Sequence, residues 1–166
     1  MNRIAALIAA VLMLCSCGIY TFSGTSIQSD VNTITINFFE YKAQKVNPSL
    51  SNDITEAIRS QFRKMTKLEQ VEMDGDLDIS GEITGYDVRA TAITAAEVAS
   101  TNRLTVTVSV DFHDRKHPEE DFEKKSFTAY SDFDATRSLG EVESGLCAEI
   151  VDKLVEDIFN ATVAQW

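Results

Sequence analysis

Residues 104–112 alternate without a break: Leu104, Val106, Val108, Val110 and Phe112 are apolar, with Thr105, Thr107, Ser109 and Asp111 between them. Successive side chains of a strand point to opposite faces, so a period of two describes a strand with one face buried and the other polar. A chain committed to such a strand covers its sheet from one side only, which favours antiparallel hairpins over a sheet enclosed by two helix layers. The same period recurs in shorter form. Ile34, Ile36 and Phe38 alternate with Thr33, Thr35 and Asn37, and Leu77, Ile79, Gly81 and Ile83 alternate with Asp78, Ser80, Glu82 and Thr84. After Gly85 the apolar positions change phase to Tyr86 and Val88, which predicts a bulge or bend. A last strand within residues 122–133 turns Phe127, Ala129 and Phe133 inward.

Two segments with helical spacing supply the cover. In residues 49–65, Leu50, Ile54, Ala57, Ile58, Phe62 and Met65 form one apolar face, and Asn47-Pro48-Ser49 punctuates its start. Asp53 and Glu56 come early and Arg59, Arg63 and Lys64 late, the order that suits the helix dipole. In residues 138–164, Val142, Leu146, Ile150, Leu154 and Ile158 make one stripe, and Cys147, Val151, Val155, Phe159 and Val163 the adjacent one. Ser138 with Glu141 reads as a capping box. The run at 68–73 reads as a short strand, and the rest connects: a loop over 40–46, a turn at Asp74-Gly75, an Ala/Thr-rich stretch over 89–102 without a period, and a turn over 114–120 containing Pro118. The predicted fold is α+β, two helices packed on one face of a roughly four-stranded, mostly antiparallel sheet, as a single domain over residues 31–166.

Ahead of this domain lies a segment of another kind. Arg3 precedes an apolar run from Ile4 to Leu14, the length of a secretory signal and far short of a membrane span. The run closes on Leu14-Cys15-Ser16-Cys17-Gly18, which resembles a bacterial lipobox. That chemistry requires a cysteine, because a thiol alkylated by diacylglycerol gives a stable thioether and cleavage frees the Cys17 amine for a further acyl chain. Residues 1–16 are therefore expected to be a lipoprotein signal peptide that is removed, Cys17 the lipidated residue, and 17–30 a lipidated tether. One acyl chain holds a protein at a bilayer only marginally, whereas two or three make a lasting anchor. Residues 18–30, at about 3.4 Å each, reach no more than about 45 Å, so the domain stays near its membrane. Gly18 in place of aspartate resembles a sorting signal for the outer membrane, facing the periplasm.

The formal net charge is −11, one unit more negative once Arg3 leaves with the signal. An acidic surface argues against nucleic acid and against broad adhesion to anionic headgroups. Of the three cysteines, Cys15 leaves with the signal and Cys17 takes the lipid, so Cys147 has no disulfide partner and reads as a small buried hydrophobe. Phosphate loops, nucleophile elbows and dinucleotide fingerprints are absent from the sequence. His113 and His117 bracket Asp114 in a stretch ending Glu119-Glu120, but they fall at a strand end and in a Pro-containing turn, not on a helix that would align them. Glu141 and Glu143 are accounted for by the start of a helix. No catalytic residue, metal or cofactor is expected, and no enzymatic activity. What remains are Arg89 and Arg103, in and beside the aperiodic stretch, which could meet phosphate or carboxylate of a ligand or stand as ordinary solvated charges.

Several segments together resemble the LptE family of lipopolysaccharide-assembly lipoproteins. They are the lipobox running into Cys17-Gly18-Ile19-Tyr20-Thr21-Phe22-Ser23-Gly24, Val46-Asn47-Pro48-Ser49-Leu50-Ser51, Gly81-Glu82-Ile83-Thr84-Gly85-Tyr86, Asn102-Arg103-Leu104-Thr105-Val106, and Asp157-Ile158-Phe159-Asn160. The resemblance implies an outer-membrane lipoprotein that assists lipopolysaccharide transport and assembly, as plug and assembly partner of the LptD β-barrel translocon, with lipopolysaccharide as a further contact. The chain departs from better-known members in its acidity, and the basic residues they use toward lipopolysaccharide have no match here. The alternative is a periplasm-facing lipoprotein that scaffolds or activates a cell-envelope enzyme; a lipid-anchored ligand binder is a third reading.

Overall fold

The structure is a computed structural model and describes residues 27–45, 47–91 and 101–163. The lipobox, Cys17, the first part of the tether, the middle of the aperiodic stretch and Ala164 lie outside the described residues. In chain order come β1 (Thr33–Ile36), β2 (Glu40–Tyr41), α1 (Leu50–Met65), β3 (Glu69–Gln70), β4 (Leu77–Ala90), β5 (Thr101–Asp114), β6 (Phe122–Asp134) and α2 (Leu139–Val163).

The α+β class and the two helices are as expected, but the sheet is larger and mixed. Six strands run in the order β3-β1-β4-β5-β6, with β2 also on β4. β4, β5 and β6 form the antiparallel meander, whereas β1 pairs in parallel with both β3 and β4, and β2 in parallel with β4. A strand returning after a helix crossover can pair in parallel, which a hairpin cannot. β3 is the short strand expected within 68–73, whereas β2 lies in the expected loop over 40–46 and holds two residues, too few for an alternation to register.

The end of β1 differs from expectation in phase. Phe38 faces solvent at 56% exposure and Phe39 is fully buried. Between the pairs Ile36↔Ile79 and Glu40↔Glu82 the β1–β2 segment spends one residue more than β4, so the side that faces the core changes. The Phe39 N–H donates to Thr55 Oγ1 at 3.1 Å. Its ring occupies the space left by Gly81, where a Cβ would stand 2.5 Å from Phe39 Cε1. At the Asp74-Gly75 turn it is Asp74 that takes the left-handed conformation, with φ 58°. Gly75 is required instead by closeness, since a Cβ there would lie 2.6 Å from the Thr35 backbone nitrogen.

In the meander, β4 and β5 stay in register from Leu77↔Asp114 to Ala90↔Asn102, with the bulge between Ile83 and Gly85 that the phase change predicts. The aperiodic stretch shrinks from both ends, because Arg89, Ala90, Thr101 and Asn102 all pair. The Thr91 N–H adds one more bond to the Thr101 carbonyl at 2.9 Å. A second irregularity lies between Val110 and Phe112, where Lys124 of β6 has φ 51° and donates its N–H to Asp111 Oδ1 at 2.6 Å. No phase change in the sequence marks it.

Burial along β5 alternates strictly, so both helices lie on one face. Leu104, Val106, Val108, Val110 and Phe112 meet Phe127, Ala129 and Phe133 of β6 and both stripes of α2, of which Val142 is only half-buried. Leu50, Ile54, Ile58 and Phe62 of α1 are buried, with Ala57 partly so and Met65 exposed at the helix end. Phe62 and Phe159 join the helices edge to face at 5.0 Å. At the start of α2 the Glu141 carboxylate accepts the Ser138 N–H at 3.0 Å, one half of the expected capping box, while the Glu141 N–H donates to the Ser138 carbonyl at 3.2 Å. Each such aliphatic side chain contributes about 1.5–3 kcal/mol on burial.

Candidate functional site

With both helices behind the sheet, the polar halves of β4, β5 and β6 form an open surface. Thr107 and Thr128 share a hydroxyl contact at 3.1 Å, Ser109 stands opposite Ser126, and Thr105 opposite Tyr130. Toward the hairpin tip, Arg89 and Arg103 are direct cross-strand partners. The topology thus makes neighbours of two candidates that the sequence separates.

Their surroundings differ. Arg103 grips Asp132 through Nε at 2.7 Å and Nη2 at 2.9 Å and lies 3.6 Å from the centroid of the Tyr130 ring. Lys153 of α2 stands 5.9 Å from the same ring and donates to the Tyr130 carbonyl at 3.0 Å. The Arg103 guanidinium holds the Asp132 carboxyl below its usual range, and Asp132 raises the pKa of Arg103 in return. A forked, stacked guanidinium is already satisfied. Among the described residues Arg89 pairs with Asp87, at 3.2 Å, and its side chain is 82% exposed. Of the two arginines, Arg89 is the more exposed and the less tightly held. The sequence reading missed Tyr130, Asp132 and Lys153, since the first two sit in a strand read only for its apolar face and the third on the polar side of a helix.

A second concavity, about 640 Å³, lies between the start of α1 and the first half of α2, with Asp53, Glu143 and Asp152 on its walls and Cys147 and Val151 at its base. Asn47 organises it. Its Oδ1 accepts from the Ser49 N–H and hydroxyl, both at 3.2 Å, while Nδ2 donates to Glu143 Oε1 at 3.2 Å and to Cys147 Sγ at 3.6 Å. The Tyr86 hydroxyl donates to the same Glu143 oxygen. Burial raises the Tyr86 pKa above the usual phenol range, and the Glu143 carboxylate adds to this. Burial also pushes up the Cys147 thiol, the opposite of what a nucleophilic cysteine needs, and the Asn47 bonds tie the loop to α2. Asn47-Pro48-Ser49 signalled a turn, but nothing local pointed to Glu143.

The two histidines take separate partners. His113 Nδ1 lies 3.1 Å from Asp121 Oδ2, and His117 Nε2 lies 3.1 Å from Asp30 Oδ1. Among the described residues no three metal-capable side chains come together, and no helix is long and apolar enough to cross a membrane.

Residues 31–162 match the LptE family, described as lipopolysaccharide-assembly. The chain belongs to the LptE family. Membership makes it a non-enzymatic lipopolysaccharide-assembly protein of a family of outer-membrane lipoproteins. Its fold is similar to that of the hypothetical protein CT253 from Chlamydia trachomatis, at 9% identity and TM-score 0.54 over 81% of this chain and 99% of that one. A minor lipoprotein from Acinetobacter baumannii is similar at 13% identity and TM-score 0.48, over 78% of this chain and 91% of that one. No curated protein matches the chain.

Proposed function

We propose that the chain reaches the outer membrane as a lipoprotein, anchored through diacylglycerol and a palmitate-type acyl chain on Cys17. There it assists lipopolysaccharide assembly as the plug and assembly partner of an LptD-type β-barrel. The observation that carries this reading is the open sheet face. Over β4, β5 and β6 it presents serine, threonine and charged side chains, with both described helices on the opposite face, a surface suited to the polar interior of a large outer-membrane barrel. Family membership supplies the lipopolysaccharide context. The contact with lipopolysaccharide runs through Arg89, the more exposed and less tightly held member of the arginine pair, with Arg103 brought in only if a phosphate displaces Asp132.

Affinity capture of the full chain from detergent-solubilised outer membranes tests the partnership. A barrel recovered in equal amount supports it, and a chain recovered alone overturns it. Radiolabelled palmitate should enter the wild type and not Cys17→Ser. Arg89→Ala should lower capture of lipopolysaccharide severalfold more than Arg103→Lys does.

A further inference from the structure

The segment before β1 is fastened to the foot of the sheet, where β4 begins and β5 ends. Ile27 packs against the core, beside Val31, Leu77, Phe112 and the last turn of α2. Three residues on, both carboxylate oxygens of Asp30 face His117 Nε2, at 3.1 and 3.2 Å, and the Asp30 carbonyl accepts from the Lys116 ammonium. Lys116 also reaches Asp76 Oδ1 at 3.1 Å. Asp76 Oδ2 in turn accepts the N–H groups of Asn32 at 2.8 Å and Thr33 at 3.0 Å, where the segment becomes β1. Those bonds, the Asn32 N–H foremost, hold the Asp76 carboxyl down at about 2. Buried Asp114 presents the grip: its Oδ1 accepts the backbone N–H groups of Lys116 at 2.8 Å and His117 at 2.9 Å. Two consecutive side chains of one turn thus hold a single residue of the incoming segment.

We propose that Asp30, Lys116 and His117 form a latch that holds residues 27–33 at the foot of the sheet, so that the segment leading to the membrane anchor leaves the domain here, at the end opposite Arg89 and Arg103. The membrane half of this inference rests on anchoring through Cys17; the latch does not. β4 runs 14 residues from foot to tip, about 46 Å at ~3.3 Å per residue, so the latch and the arginine pair sit far apart. His117 works as the fastener in its protonated form. Its hydrogen bond to Asp30 raises its pKa, and Asp114 and Glu119, the latter 3.9 Å from Nδ1, favour the same charge. Lys116, the like charge beside it, is taken up by Asp76, and α2 brings only uncharged Thr162 and Val163 to the pocket around Ile27. A raised histidine pKa leaves the pair complete below the ordinary value of about 6.5 and loses it as pH climbs through the raised one. On the acid side the pair lasts until pH falls through the lowered pKa of Asp30.

Hydrogen exchange of the full lipidated chain, in vesicles of phosphatidylethanolamine and phosphatidylglycerol, tests the latch. At pH 6, His117→Gln and Lys116→Ala should each speed exchange of the amides of residues 31–33 about tenfold and leave the β4–β5 amides unchanged. The wild type, corrected for intrinsic rates, should move toward His117→Gln as the pH is raised to 8. Unchanged exchange, or an equal rise throughout the sheet, overturns the latch. Vesicle binding that survives Cys17→Ser would refute the anchor alone, because the exchange result does not depend on it.

Discussion

The two flanks of the sheet are held by different means. β4, β5 and β6 follow one another as hairpins, and each brings a run of alternating side chains to the next, so pairing and burial agree residue by residue. β1, β2 and β3 are short and pair in parallel, with α1 between β2 and β3, and they are kept in place by single contacts from distant parts of the chain. Thr55 of α1 satisfies the Phe39 N–H, Gly81 of β4 makes room for the Phe39 ring, and Asp76 caps the start of β1. A long repeated pattern spreads its stability over many equivalent residues, whereas a short strand depends on a few unlike ones.

That contrast can be broken or sharpened by mutation. Leu154→Ala, in the fully buried centre of α2, removes cover from the meander and should cost about 2–5 kcal/mol, the largest effect, read as a lowered midpoint in urea unfolding. An unchanged midpoint would mean that the sheet does not lean on this helix. Gly81→Ala attacks the other flank, placing a methyl 2.5 Å from the Phe39 ring and 2.8 Å from the Ser109 carbonyl oxygen. Overpacking of this kind costs about 1–3 kcal/mol. Nuclear magnetic resonance shift changes should gather on β1 and β2; changes spread evenly over β6 would show the flanks to be one unit. Thr55→Val keeps the shape but leaves the buried Phe39 N–H without its acceptor, an expected loss of about 1–2 kcal/mol by thermal denaturation. Gly145→Ala is the smallest change. Nothing stands within 4 Å of the added carbon, so a helix-interior glycine should become a stabilising alanine by about 0.5–1 kcal/mol.

The paired arginines show how far a local pattern carries into the site. Arg89 and Arg103 could be picked out as cations near a loop, but their partners lie on other strands, and only pairing across β5 and β6 reveals that Asp132 and Tyr130 already hold Arg103. The histidines teach the same lesson. His117 follows His113 by four residues along the chain, yet it reaches Asp30, 87 residues away.

From its sequence by itself the protein is an α+β domain with a one-sided sheet, two amphipathic helices over that side and a bulge or bend at Gly85. Each of these is written in a period or a phase change within one short stretch, where backbone geometry alone sets which side chains share a face. Only the tertiary structure decided strand β2 and the parallel pairing of β1, β2 and β3, the exchange of Phe38 for Phe39 in the core, and which arginine stays the more exposed. Those outcomes depend on groups brought together across long loops, and the energy of a hydrogen bond or a tight contact is set by its partner, which no local pattern specifies.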